Sequence, residues 1–106
     1  MMRTLINELV EEKESTIKGW AKTIRNTKYM IFVILEDRSS SIQVSIDKEK
    51  NSDIVKELEG VLPDSVLEFT GEMVLSEYVK QGGKEFLPTK VNILSNPINV
   101  YAKKWI

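Results

Sequence analysis

The apolar positions change period several times along the chain, and each change marks a new element. In residues 3–14 (RTLINELVEEKE), Leu5, Ile6, Leu9 and Val10 recur at helical spacing behind Thr4, with acids on the other face. That predicts a short amphipathic N-terminal helix. From Ser15 to Asn26 (STIKGWAKTIRN) polar and apolar residues alternate, with the Thr, Ile and Trp content of a half-buried strand. Thr27 and Lys28 supply a turn. Tyr29–Leu35 (YMIFVIL) is continuously apolar, as in a strand covered on both faces, and Glu36–Ser40 (EDRSS) ends it. In Ser41–Ile46 (SIQVSI), Ile42, Val44 and Ile46 point to one face and Ser41, Gln43 and Ser45 to the other. Asn51 and Ser52 cap a second helix to about Glu59 with Ile54, Val55 and Leu58 as its apolar stripe, and Gly60 and Pro63 stop it. Two further strands, Ser65–Tyr78 and Glu85–Leu94, flank a glycine hairpin at Gln81-Gly82-Gly83. The ending NPINVYAKKWI reads as chain leaving the domain, with Trp105 and Ile106 docking on a partner surface.

Five strands with one helix between the third and fourth is the element order of the OB-fold, a small Greek-key barrel that closes its own sheet. The predicted class is therefore all-β with short helices: a five-stranded OB-fold barrel with an N-terminal helix and a helix between strands 3 and 4. A length of 106 residues suits one domain, residues 1–106.

Composition narrows the chemistry. There is no Cys and no His, so thiol nucleophiles, disulfides, His or Cys metal sites and imidazole acid–base catalysis are excluded. No cofactor or metal is expected. Gly82-Gly83 before Lys84 lacks the spacing of a phosphate loop, and Glu36-Asp37 offers too few oxygens for a hard cation. The apolar run Met30–Leu35 has six residues, far short of the roughly 20 that cross a bilayer, so no membrane association and a cytoplasmic location are expected.

Charge points to a local site. Fifteen Lys and Arg against sixteen Asp and Glu leave a net charge of −1, yet Ser15–Met30 holds Lys18, Lys22, Arg25 and Lys28 and no acid. Lysines on a strand often serve only to blunt a sheet edge. The neighbouring strands give a second reading. If Ile31, Val33, Ile42 and Val44 face the core, Phe32 and Gln43 face outward, and an aromatic, an amide and an arginine converge. An unpaired RNA base is read by just such groups: a ring to stack on, an amide at its edge and a guanidinium for phosphate or base.

The segment GWAKTIRNTKYMIFVILEDRSSSIQVSID, residues 19–47, resembles the anticodon-binding OB domain of class IIb aminoacyl-tRNA synthetases. The resemblance continues through Phe69-Thr70-Gly71-Glu72-Met73-Val74, Glu85-Phe86-Leu87-Pro88-Thr89 and Val91–Ser95, and Gly19-Trp20 is closer to the aspartyl and asparaginyl branches than to the lysyl one. It implies that Phe32 stacks on the central anticodon uridine, that Gln43 bonds its edge, and that Arg25 and Glu85 contact the anticodon loop. The implied partner is tRNA or single-stranded RNA, with Lys22 and Lys28 as further RNA-binding cations. The class II catalytic motifs do not occur in these residues, so no enzymatic activity is expected of this chain alone. It is expected to be either a domain of a synthetase or a free-standing paralogue. The alternatives are a general single-strand binder and a protein-interaction module that forms a homodimer or contacts a catalytic domain.

Overall fold

Alternation in the strands is answered by a closed wall of side chains. In the computed structural model, which describes residues 4–75 and 83–95, five strands follow one another around a barrel. They are β1 (Glu14–Asn26), β2 (Met30–Glu36), β3 (Ser41–Asp47), β4 (Val66–Leu75) and β5 (Lys84–Ser95), with helix α1 (Ser52–Leu58) between β3 and β4. Around the barrel the order is β1-β2-β3-β5-β4. All neighbours are antiparallel except β3 and β5, which pair in parallel through Gln43–Glu85 and Val44–Phe86. This is the OB-fold barrel that the element order predicts.

The inward positions fill the interior, as a barrel of this size requires. Ile17, Val33, Leu35, Ile42, Val44, Ile46, Leu67, Phe69 and Phe86 are wholly buried. Ile54 and Leu58 of α1 close the core beyond the Met30–Asp47 pair, while Ile6 and Leu9 close it near the β2–β3 loop. Thr27 fixes the β1–β2 turn: its Oγ1 donates to the Met30 carbonyl (3.0 Å) and accepts from the Met30 amide (3.1 Å).

The N-terminal segment departs from expectation. The helix predicted over residues 3–14 is replaced by one 3₁₀ turn, Ile6–Glu8, and Val10 lies 56% exposed outside the core. Tertiary hydrogen bonds outcompete a short helix that is marginal by itself. Thr4 N–H donates to the Thr16 carbonyl (2.8 Å), Ile6 N–H to Asp37 Oδ2 (2.8 Å) and Glu12 N–H to the Met73 carbonyl (2.9 Å). Elsewhere element boundaries shift by about one residue. Tyr78, Gln81, Gly82, Trp105 and Ile106 lie outside the described residues; Gly83 has φ +68°, as a glycine turn requires.

Three interruptions of register shape the barrel wall. The first passes over Lys22 of β1 between Ala21 and Thr23, the second over Thr89 of β5 opposite Thr70 and Gly71, and the third over Leu94 of β5 opposite Val66 and Leu67. At the second, the chains approach so closely that a Cβ on Gly71 would lie 2.2 Å from the Leu87 carbonyl oxygen.

Candidate nucleic-acid interface

The bulge in β1 decides where the arginine goes. Strict alternation from exposed Lys18 and Trp20 would turn Arg25 to the opposite face. Lys22 takes up the extra position, so Thr23 and Arg25 return to the outer face and Ile24 packs against the core. Arg25 then sits directly across from Phe32, and Phe32 across from Ser45. The adjacent row runs Thr23, Ile34, Gln43, Glu85.

Four of the sequence-identified residues therefore share one patch. The Arg25 guanidinium carbon lies 4.8 Å from the centre of the Phe32 ring, within cation–π range. Phe32 is half-buried, whereas its strand neighbours Ile31 and Val33 are in the core. The Gln43 amide donates through Nε2 to Ser45 Oγ at 3.2 Å. That bond fixes the amide plane and turns its carbonyl oxygen away from Ser45. Glu85 is half-buried across the parallel β3–β5 seam from Gln43. Ring, guanidinium, amide and carboxylate thus stand on two adjacent rows of one surface.

The remaining cations lie along β1 and its turn. Lys28 lies at the β1–β2 turn with its Nζ 5.3 Å from the centre of the Tyr29 ring, and Tyr29 is 70% exposed. Lys22 is exposed at the bulge, and Lys18 is exposed further along β1, across from Glu68. Sequence reasoning missed Ser45, which orients Gln43, and the exposed ring of Tyr29 beside Lys28 at the turn. Ser45 carried no signal beyond alternation; Tyr29 was absorbed into the apolar run of β2.

Asp37 is part of the scaffold. It opens the β2–β3 loop, where Ser39 N–H (2.7 Å), Ser39 Oγ–H (2.6 Å) and Ser40 N–H (3.1 Å) donate to Oδ1. Burial pushes its pKa up, but the Ser39 hydroxyl and the amides of Ile6, Ser39 and Ser40 outweigh that, and the net position is below the ordinary carboxylate value. No group of three or more His, Cys, Asp or Glu residues placed to hold a metal ion occurs among the described residues. Among the same residues no helix is long and apolar enough to cross a membrane.

The sequence model of the OB-fold nucleic acid binding domain, of the tRNA anticodon type, matches residues 15–94. The chain belongs to this family. Arg25, Phe32, Gln43 and Glu85 all fall within the matched stretch. An aspartate–tRNA(Asp/Asn) ligase of Haloquadratum walsbyi is 36% identical over 95 residues, covering 89% of this chain and 22% of the ligase. The chain spans about a fifth of the length of such relatives. Among solved structures, the asparaginyl-tRNA synthetase from Pyrococcus horikoshii complexed with asparaginyl-adenylate matches with a TM-score of 0.80 at 17% identity, over 91% of this chain and 23% of that one. An aspartyl-tRNA synthetase from Entamoeba histolytica matches with a TM-score of 0.77 at 23% identity, over 90% of this chain and 22% of that one. At these identities the structural matches establish the shared fold.

Proposed function

We propose that this OB-fold domain binds the anticodon loop of a tRNA and reads its central uridine on behalf of an aspartyl- or asparaginyl-type synthetase. The observation that carries this reading is the juxtaposition of the Arg25–Phe32 pair with Gln43 and Glu85 on adjacent rows of one exposed surface. The Phe32 ring receives an unstacked base, and the Arg25 guanidinium serves the adjoining phosphate or base. With Nε2 held by Ser45, the Gln43 carbonyl oxygen accepts a hydrogen bond from the base edge. Uracil offers an N–H at N3, where cytosine has a bare lone pair that would meet the carbonyl oxygen unfavourably. Uracil has a single N–H on that edge, so the Glu85 carboxylate across the seam accepts from a neighbouring nucleotide. The domain supplies recognition, and aminoacylation belongs to a catalytic domain of the same enzyme.

Affinity of the domain alone is modest. One stacked base contributes about 1–3 kcal/mol. The few cations near the patch, Arg25, Lys22 and Lys28, give a shallow dependence on salt. The test is a titration with a hairpin bearing an Asp-type anticodon loop, against the same hairpin with the central uridine replaced by cytidine. Tighter binding of the uridine hairpin is expected. Equal binding would make the domain a general single-strand binder, and binding to neither would overturn the RNA reading in favour of a protein partner.

A further inference from the structure

A second aromatic position lies on the same outer surface, at the opposite end of the β1–β2 pair. Trp20 is 42% exposed although a tryptophan is among the most costly residues to leave in water. It sits between Glu36 of β2 and Val66 of β4. Together with Leu5, Lys18, Gly19, Asp37, Arg38 and Val66 it lines an open cleft of about 340 Å³, within the size range of small-ligand sites.

The cleft carries charges of both signs. Two cations, Lys18 and Arg38, flank the indole. Asp37 also lines it, but its Oδ2 is taken by the Ile6 amide and its Oδ1 by Ser39 and Ser40. Glu68, across from Lys18, and Glu36, across from Trp20, bring the carboxylates to three against the two cations, so the cleft is not positive overall. Lys18 stands across from Glu68, which leaves Arg38 as the cation of the cleft best placed to meet an anion. The planar Arg38 fork matches a phosphate, and the indole beside it matches a base.

The cleft also continues the surface already described. Between Trp20 and the Arg25–Phe32 pair the outer face carries Thr23, half-buried Ile34 and the exposed Lys22 of the bulge. Five residue steps along β1 separate Trp20 from Arg25, about 15 Å. An OB-fold typically covers roughly 4–16 nucleotides of single strand, so one RNA chain reaches both positions. We infer that Trp20, Lys18 and Arg38 form a second nucleotide subsite, in which a base stacks on the indole and its phosphate is held by Arg38, for an RNA strand that also occupies Phe32. This inference rests on the RNA-binding reading above.

Trp20 and Trp105 are the two tryptophans of the chain, so Trp105→Phe leaves Trp20 as the sole reporter. That protein is titrated with an oligouridylate of about three nucleotides and one of about nine, lengths chosen to fill one or both positions. The longer RNA is expected to quench the indole emission and to bind more tightly than the shorter. Trp20→Ala is expected to weaken the longer RNA about tenfold, the scale of one lost stack, and to leave the shorter one unchanged. Trp20→Phe keeps a stacking ring and should recover most of that loss, which a merely structural role for Trp20 would not produce. Arg38→Gln should reduce the salt slope for the longer RNA by about one. Phe32→Ala should weaken both RNAs. If Phe32-dependent binding saturates while Trp20 emission and the Trp20→Ala affinity stay unchanged, the second subsite is refuted and the first stands. If neither RNA binds, both proposals fail together.

Discussion

The most informative single substitution is Phe32→Ala, because its effects on folding and on binding differ in size and the structure fixes both. Phe32 is half-buried on the outer face, so truncation opens no cavity; water fills the space. Full burial of a Phe side chain is worth about 1.5–3 kcal/mol, and half of that is about 1 kcal/mol. Loss of the Arg25 contact at 4.8 Å adds about 0.5–1 kcal/mol at an exposed site. The expected destabilisation is therefore about 1–2 kcal/mol. Phe69→Ala is the control: Phe69 is wholly buried, and its loss should cost about 3–5 kcal/mol. In binding, the same Phe32→Ala change removes a stacking platform, about 1–3 kcal/mol, or roughly 5- to 150-fold in Kd. Urea denaturation of both variants measures the first quantity, and anisotropy of a labelled anticodon hairpin measures the second. A Phe32→Ala destabilisation equal to that of Phe69→Ala, or an undiminished hairpin affinity, would refute the assignment of Phe32 as an outward-facing platform.

Other expectations follow from individual contacts. Gln43→Ala should narrow the uridine-over-cytidine ratio more than it lowers affinity in the same hairpin titration, since the fixed carbonyl oxygen is then gone; an unchanged ratio would remove Gln43 from the readout. Gly71→Ala drives a Cβ to 2.2 Å from the Leu87 carbonyl oxygen and 2.7 Å from Pro88 Cα, both backbone, and should destabilise by about 1–3 kcal/mol or more in a thermal melt. Asp37 has a folded pKa below its unfolded one, so its contribution to stability is present above the unfolded value of about 3.9 and is lost as pH falls through the folded pKa. Asp37→Asn should flatten the fall in denaturation midpoint below about pH 4, and a profile identical to that of the parent would contradict the role of this carboxylate.

Strand positions were legible because alternation is a local property. Ile42, Val44 and Ile46 announce the inner face of β3, and with it the outward direction of Gln43; Ile31 and Val33 do the same for Phe32 once β2 is paired. What alternation cannot show is a change in its own phase. Arg25 reaches Phe32 only because Lys22 occupies a bulge, and its trace in the sequence is slight: Lys22 and Thr23 are successive polar residues between Ala21 and Ile24. The Gln43–Glu85 pairing is likewise a non-local fact, set by parallel closure between strands separated by α1 and β4. The N-terminal helix failed for the complementary reason. Its period was correct for Ile6 and Leu9, which are buried, but the partners that pull the segment straight, Thr16, Asp37 and Met73, are distant in sequence.

The seam between β3 and β5 carries a thermodynamic consequence. Among the described residues it is the shortest ladder of the barrel, Gln43 with Glu85 and Val44 with Phe86, and the two proposed RNA contacts stand one on each side of it. An RNA strand held by both groups acts as a clasp, since it binds the closed barrel and loses half of these partners whenever the seam parts. Occupancy and closure are then linked, and at a hundredfold excess over Kd the ligand adds about 2.7 kcal/mol to the stability of the closed form. Amide protons of Val44 and Phe86, rather than those of the long β1–β4 ladder, are where that added protection against exchange would register.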